Sequence, residues 1–242
     1  MQDFLGRRNH GAARAVDAGM MDKGMSLPFA DSRRSTLRRR SIPALLAGSL
    51  LACFCLLSSV TAAFAGKPVI VIDPGHGGHD IGANNSLVYE KHINLDVSRR
   101  LKRTLEDAGY RVVMTRETDR YVPLSTRAEI ANRLRNALFV SVHFNSSWKR
   151  KVSGIETYYR GSTSKAFATY VQNQMIRHIR ATDRGVKTAN FAVLRRTRHP
   201  AVLIEGGFVS NSTERSAMLD PKYRQVVADS IARGLMDFNR RR

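Results

Sequence analysis

The sequence predicts a single three-layer α/β domain, with a mostly parallel or mixed twisted sheet of about six strands flanked by helices. Two observations carry this prediction. Apolar and β-branched runs of strand length alternate with segments whose apolar residues recur at helical spacing. The run Val69-Ile70-Val71-Ile72 is continuously β-branched, as expected of a strand covered by helices on both faces. The alternation continues to the C-terminus without a repeat or a linker, so we expect one domain over 66–242.

The predicted elements follow one another in a regular order. The strands are expected at 69–72, 111–115, 137–142, 154–159, 191–194 and 201–204. The helices are expected near 93–105, 124–134, 167–179 and 223–238. Gly109 supplies a C-terminal stop for the first helix.

The chain is strongly basic. Its 242 residues contain 40 Lys and Arg against 20 Asp and Glu, a formal charge of +20. Residues 66–242 keep 31 of the basic and 16 of the acidic residues, a net of +15. A surplus of this size favours binding to a polyanion but does not identify it.

Residues 1–65 have the order of an N-terminal tail followed by an export signal. The basic cluster 38–40 precedes an apolar run over 42–60, and the small-residue motif Ala63-Phe64-Ala65 closes it. We therefore expect cleavage after Ala65 and export to the periplasm or cell envelope. An uncleaved membrane anchor remains the alternative, because about 18 apolar residues can span a bilayer.

The processing route of this signal stays open. The stretch 32–38 resembles a twin-arginine signal in which Thr36 replaces the usual aromatic residue. The sequence Leu50-Leu51-Ala52-Cys53 loosely resembles a lipoprotein cleavage site. Translation could also begin downstream of Met1, at Met20, Met21 or Met25. Both cysteines precede residue 66, which excludes a disulfide or a thiol nucleophile from 66–242.

Four polar residues are candidates for a site at one edge of the sheet. His76 follows the first strand in the motif Asp73-Pro74-Gly75-His76-Gly77-Gly78, His143 closes the third strand, and Glu205 closes the last. Glu90 opens the first helix. Ligands of open α/β sheets bind beyond the carboxyl ends of the strands, so we expect these residues to converge there.

Two histidines and one glutamate are the ligands of a common catalytic zinc site that leaves a fourth position for water. Zinc there would lower the pKa of water to about 7, and Glu205 could take the water proton as general base. Each residue also has a structural interpretation. His143 could be a hydrogen-bonded structural histidine, Glu90 could complement the helix dipole, and Glu205 could be a loop acid without a role.

The motifs together resemble the AmiC-type, zinc-dependent N-acetylmuramoyl-L-alanine amidases of bacterial cell walls. The resemblance extends from Val69 to about Phe238. It rests on the stretches 71–78, Glu90-Lys91 with Asn94-Leu95, 141–145, 154–159, 184–187 and 200–211.

The resemblance implies roles for the four residues. His76, Glu90 and His143 match the ligands of one Zn²⁺ per chain, and Glu205 matches the catalytic glutamate. The implied reaction is hydrolysis of the amide between the lactyl group of N-acetylmuramic acid and L-alanine of the peptidoglycan stem peptide. The stretch from Tyr159 to Arg184 leaves no obvious room for the inhibitory helix of some members, so we expect activity without an activator, although an unidentified activator stays open.

Three further residues are secondary candidates. Asp73 and Glu156 could orient the ligands or line the site, because ligating imidazoles usually donate their second nitrogen to an acceptor. Asn145 could contact substrate. His79, His92, His178 and His199 match no motif and are expected to be solvated polar residues.

Two other functions remain open at this point: a zinc peptidase or amidohydrolase acting on another exported amide, and a non-catalytic cell-wall binder. Export and the absence of a nucleic-acid motif argue against a nucleic-acid partner. We expect a monomer, with membrane contact only through an uncleaved or lipidated signal.

Overall fold

The structure, a computed structural model, describes residues 66–85 and 88–242. The predicted export signal and its cleavage site lie outside these residues. The described elements are β1 (Val69–Pro74), β2 (Asn84–Asn85), β3 (Val88–Tyr89), α1 (Glu90–Asp107), β4 (Val112–Met114), α2 (Leu124–Asn132), β5 (Ala137–Asn145), β6 (Ile155–Tyr159), α3 (Ser162–His178), β7 (Asp183–Thr188), α4 (Ala192–Arg196), β8 (Ala201–Phe208), α5 (Ser212–Leu219) and α6 (Pro221–Arg241).

Six strands form one mixed sheet in the order β4-β1-β5-β8-β6-β7, and β2 and β3 form a separate antiparallel pair. Strands β4, β1, β5 and β8 are parallel, β6 runs antiparallel to β8, and β7 is parallel to β6. The predicted mixed sheet of about six strands is therefore confirmed.

Helices cover both faces of this sheet, which confirms the three-layer prediction. On one face, α1, α3 and α6 bury the larger core, with fully buried side chains such as Ile72, Leu101 and Phe167. On the other face, α2 and α4 cover a smaller core that contains Val71, Phe139 and Leu203 among others. None of the helices in the described part of the chain is both long and apolar enough to traverse a bilayer.

The pleat of the strands places the candidate site on the face of the smaller core. Because side chains alternate between faces, Asp73 shares the face of Val71, and Glu205 that of Leu203. His143 lies on this same face, and it is the register partner of Glu205 across β5 and β8. Since α2 and α4 are short, polar side chains at the carboxyl ends of the strands face an open cavity.

One predicted strand is wrong. Residues 191–194 do not form a strand, because Ala192–Arg196 forms the short helix α4, which buries Val193 and Leu194. A four-residue apolar run fits the period of either element, and Ala192, Leu194 and the arginine that follows the run favour a helix. The sixth strand is instead β7, an edge strand whose residues are at most half-buried, so that no apolar alternation marks it in the sequence.

One further detail differs from the sequence prediction. Strand β8 continues to Phe208, so Glu205 lies inside the strand rather than at its end. The structure describes every residue between Tyr159 and Arg184. Helix α3 occupies this stretch and packs into the larger core through Phe167 and Val171. None of the residues of this stretch lines the cavity on the opposite face.

Candidate metal centre

The structure brings His76, Glu90 and His143 together, with one candidate ligand atom from each residue lying within 4.8 Å of the others. The Nε2 atom of His76 lies 3.1 Å from Oε2 of Glu90, and Nδ1 of His143 lies 2.9 Å from Oε1 of the same carboxylate. The two imidazole rings meet edge to face, with centroids 4.9 Å apart. Two ring nitrogens and a carboxylate therefore converge on one point.

The loop after β1 brings His76 to this point by an unusual backbone path. His76 has a φ of 59°, in the left-handed region that few residues other than glycine adopt. Gly75 lies directly against the His143 ring, since a Cβ atom added there would be 2.2 Å from Cε1 of His143. A Cβ atom on Gly82 would be 2.5 Å from Oε2 of Glu90. Two glycines thus permit the close approach of the loop to the other two candidate ligands.

Two buried arginines hold this loop by its carbonyl groups. Arg127 donates from Nη1 to Pro74 O (2.7 Å) and from Nη2 to His76 O (2.8 Å), and it pairs with Asp73 at 2.9 Å. Arg116, whose side chain is fully buried, donates from Nε to Pro74 O and from Nη2 to Gly75 O. We infer that these contacts stabilise the strained conformation at His76.

The Glu90 carboxylate is also fixed by the surrounding chain. The backbone N–H groups of Ala83 and Phe144 donate to its two oxygens at 2.7 and 3.2 Å, and Asn94 Nδ2 donates to Oε1 at 3.1 Å. Burial alone raises the pKa of the Glu90 carboxyl, but hydrogen bonds from His143 and His76 outweigh it and hold the pKa well below its usual range. Glu90 is therefore a buried, ionised carboxylate.

Asp80 is a member of the site that the sequence analysis did not identify. Its Oδ1 atom lies 2.8 Å from Nδ1 of His76, and the same atom accepts a hydrogen bond from the N–H of Gly82. A carboxylate at Nδ1 fixes the ring orientation and directs Nε2 toward Glu90. The signal in the sequence was an acidic residue four positions after a histidine in one glycine-rich loop.

Glu205 lies beside the three convergent residues. It is the register partner of His143 on one side and of Glu156 on the other. Its Oε2 atom is buried and has no hydrogen-bond partner among the described residues. Burial, and then the negative charges of Glu90 and Glu156, raise the pKa of the Glu205 carboxyl well above its ordinary value. Glu205 also lines the cavity, and a carboxyl with an unpartnered oxygen has the chemistry of a proton acceptor.

The two candidates for ligand orientation have other partners in the structure. Asp73 lines the cavity, but its carboxylate accepts from Thr115, Arg127 and Ser141 and contacts neither candidate histidine. Glu156 binds Lys187 and Arg184, the latter at 2.7 Å.

Asn145, the candidate substrate contact, donates from Nδ2 to Glu156 Oε1 at 2.9 Å, and its Oδ1 accepts from the N–H of Ser146. Its side-chain amide is thus engaged with the protein.

A cavity of about 330 Å³ opens over the site. His76, His143 and Glu205 lie on its polar side. Its other wall contains apolar and aromatic side chains, among them Tyr121 and Phe191. The cavity therefore joins the candidate metal centre to a surface suited to the apolar parts of a substrate.

The donor set fits a zinc ion. Zinc in catalytic sites is bound by three histidine and carboxylate ligands, and His76, Glu90 and His143 supply this combination. Asp80 supplies the acceptor behind His76 that such sites usually contain.

Comparison with known proteins agrees with this geometry. A family model described as N-acetylmuramoyl-L-alanine amidase matches residues 70–237. The uncharacterized protein YqiI of Bacillus subtilis is 36% identical over 195 residues, which cover 77% of this chain and 94% of YqiI. N-acetylmuramoyl-L-alanine amidase LytC of Bacillus subtilis is 34% identical over 175 residues, 71% of this chain but only 35% of LytC.

A solved structure shows the same fold. The catalytic domain of CwlV, an N-acetylmuramoyl-L-alanine amidase from Bacillus (Paenibacillus) polymyxa var. colistinus, is similar with a TM-score of 0.69 and 38% identity. The match covers 71% of this chain and 98% of that domain. The chain therefore belongs to the N-acetylmuramoyl-L-alanine amidase family of enzymes.

Proposed function

We propose that the protein is an exported, zinc-dependent peptidoglycan hydrolase that cleaves the amide between N-acetylmuramic acid and the L-alanine of the stem peptide. The observation that carries this proposal is the pairing of His143 with Glu205 across β5 and β8. This pairing places a carboxyl of raised pKa beside the convergent group His76, Glu90 and His143.

The roles divide between binding and proton transfer. Nε2 of His76, Nδ1 of His143 and the Glu90 carboxylate would hold the zinc ion, because these atoms already face one another. When bound, zinc supplies Lewis acidity toward the scissile carbonyl and toward water. The buried arginines Arg116 and Arg127 act on the reaction only by fixing the loop that carries His76.

Glu205 is proposed as the general base and then the general acid. Its Oε2 atom has no partner among the described residues, so it can accept the proton of the attacking water. It then returns that proton to the departing amine nitrogen of L-alanine. Because the pKa of the Glu205 carboxyl lies well above its ordinary value, its carboxylate is a stronger base than that of an exposed glutamate and accepts a proton more readily.

The charge of the domain supports a wall substrate. Residues 66–242 carry a net charge of +15, and peptidoglycan stem peptides carry carboxylates. Long-range attraction of this kind concentrates a basic enzyme on an anionic polymer. The names of several relatives, including LytC, describe amidases of this class, and these names support the assignment of the substrate.

We further propose that residues 1–65 direct export and that the enzyme acts as a monomer in the periplasm or cell envelope.

We also propose that the enzyme needs no activator. The packing of α3 supports this proposal. This helix occupies the stretch between Tyr159 and Arg184 and packs on the face of the sheet opposite the cavity, through Phe167 and Val171.

Product analysis on purified peptidoglycan tests the proposed reaction. The wild-type protein should release new L-alanine amino termini and leave the glycan strands intact. Glu205→Gln should reduce the rate about 10²-fold to 10⁴-fold, the usual contribution of a general acid or base, and should keep its zinc. Glu129→Gln, which changes an exposed glutamate on α2, is the matched control and should have the wild-type rate. Glycan cleavage without new L-alanine termini, or full activity of Glu205→Gln, would contradict the proposal.

A further inference from the structure

The loop between β5 and β6 presents an exposed tryptophan. Trp148 is the single tryptophan of the chain, and 87% of its surface is exposed in the described part of the structure. Scattered exposed apolar residues are normal, but a tryptophan exposed to this degree leaves a large aromatic surface in water. The side chain therefore adds little to the packing of the domain itself.

The loop that carries Trp148 is anchored on both sides of it. The N–H of Ser147 donates to Oγ of Ser210 at 2.9 Å, and Asn211 Nδ2 donates to the carbonyl of Arg150 at 3.2 Å. Further along, the N–H of Gly154 donates to Glu214 Oε1 at 2.7 Å. Because the backbone is fixed before a partner arrives, less conformational entropy is lost on binding.

Three consecutive cations follow the tryptophan. Lys149, Arg150 and Lys151 are all exposed, and none of them forms an ion pair with a carboxylate among the described residues. Nζ of Lys149 lies 4.7 Å from the centroid of the Trp148 ring, within the range of a cation–π contact. The loop thus combines an aromatic face with unneutralised positive charge.

The position of the loop connects it to the candidate metal centre. It begins directly after β5, the strand that carries His143. Trp148 is five positions after His143, so the Cα atoms of the two residues lie at most about 18 Å apart. A polymer with one unit in the cavity can reach the loop with a neighbouring unit.

We propose that Trp148 and the cations Lys149, Arg150 and Lys151 form a binding platform for the glycan strand of peptidoglycan beside the cleaved unit. This proposal depends on the proposed function and adds a second contact with the same substrate. The apolar C–H face of a sugar ring packs on the indole, while the three cations bind carboxylates of adjacent stem peptides. A membrane fits the loop less well, because Val152 is the only aliphatic side chain between residues 146 and 154, which is too little apolar surface to insert.

The single tryptophan makes the contact directly measurable. The fluorescence of the full chain is recorded, with chelator present to prevent turnover, during titration with soluble multimeric glycan-peptide fragments. Binding at the platform should shift the emission of Trp148 to shorter wavelength and saturate. Vesicles of anionic phosphatidylglycerol form the second arm and should leave the emission unchanged.

The contribution of the Trp148 ring is tested with variants, whose binding to insoluble peptidoglycan is measured by sedimentation. Trp148→Ala should weaken binding about fivefold to tenfold, and Trp148→Phe should restore most of it, because an aromatic ring retains the stacking face. Leu219→Ala, which removes another exposed apolar side chain, is the control and should bind as the wild type does. All three should keep the wild-type midpoint of thermal unfolding, since both positions are exposed.

The charge of the platform is tested by exchanging residues 149–151 for glutamine. This variant should bind more weakly at low ionic strength and should lose part of the salt dependence of binding. Exchange of Arg240, Arg241 and Arg242 removes three exposed cations at the C-terminus and is the matched control. Equal salt dependence in the two variants would contradict the platform.

The outcomes separate the platform from the proposed function. An emission shift with vesicles alone, no shift with either ligand, or wild-type binding by Trp148→Ala would each overturn the platform. The proposed function fails instead if the wild-type chain, loaded with zinc, releases no L-alanine termini from a soluble muramoyl-peptide. That assay uses only the wild-type chain and a fragment with a single sugar, so its result does not depend on the loop.

Discussion

The Nδ1 atom of His76 lies 2.8 Å from Oδ1 of Asp80, four residues further along the same loop. This contact determines which ring nitrogen of His76 faces the Glu90 carboxylate. The loop reaches this arrangement with His76 at a φ of 59°. The orientation of one candidate metal ligand therefore depends on an acid that is not itself a ligand candidate.

Replacement of Asp80 should weaken metal binding without removing a ligand. We expect Asp80→Ala to lower the affinity for zinc about 10-fold to 100-fold, the usual effect of losing the acceptor behind a ligating imidazole. Competition with a chromophoric chelator measures this change. Asp107→Ala, at an exposed aspartate at the end of α1, is the control. Equal zinc affinity in both variants would show that Asp80 does not orient His76.

The pair formed by Arg127 and Asp73 should be important for folding stability. Both side chains are at least 98% buried, so Arg127→Met leaves the Asp73 carboxylate without its counter-charge. We expect a loss of about 3–5 kcal/mol in the free energy of unfolding. Urea denaturation measures it, with Arg103→Met at an exposed site as the control. The double variant Asp73→Asn with Arg127→Met should lose less than the sum of the two single changes, and strict additivity would argue against direct coupling.

Gly75 should be intolerant of even one added methyl group. A Cβ atom there would be 2.2 Å from the His143 ring, so Gly75→Ala must displace either the loop or the imidazole. A displacement near 1 Å lowers turnover about 10²-fold. The rate of release of L-alanine termini measures the effect. At Gly66 an added Cβ meets no atom within 4 Å, so Gly66→Ala should be neutral. Full activity of Gly75→Ala would contradict the described packing.

The ion pairs of Glu156 should make stability depend on pH in the acid range. Burial raises the pKa of Glu156, but hydrogen bonds from Lys187 and Arg184 outweigh it, so the folded-state pKa lies below the ordinary 4.5. The stabilisation is therefore complete above pH 4.5 and is lost as the pH falls through the lowered value.

A matched variant isolates this contribution. The difference in the free energy of unfolding between wild type and Glu156→Gln should be largest at pH 7 and should shrink toward pH 3. A difference that stays constant over this range would show that Glu156 does not titrate with a lowered pKa.

Much of the fold was predictable because its signals are local. The β-branched run of β1 and the helical spacing of α1 and α6 each indicate one element without knowledge of the rest of the chain. The prediction failed at 191–194 and at β7. A four-residue apolar run does not distinguish a short helix from a strand, and the half-buried edge strand β7 has no apolar alternation.

The candidate site was predictable to a similar degree. His76, Glu90 and His143 lie in distinctive motifs, and the structure brings them together. The partners of Asp73 and Asp80 could not be predicted, because hydrogen-bond geometry decides them. Asp73, near the end of β1, pairs with Arg127 on α2, 54 residues away, whereas Asp80 reaches His76 within one loop.

Zinc content coupled to activity tests the central proposal most directly. The purified chain should contain one zinc per molecule, lose the release of L-alanine termini when the metal is chelated, and regain it when zinc is added. His143→Ala should fail to retain the metal, and Glu205→Gln should retain it but turn over about 10²-fold to 10⁴-fold more slowly. Full cleavage of the muramoyl-alanine amide by a chain that contains no metal would contradict the account.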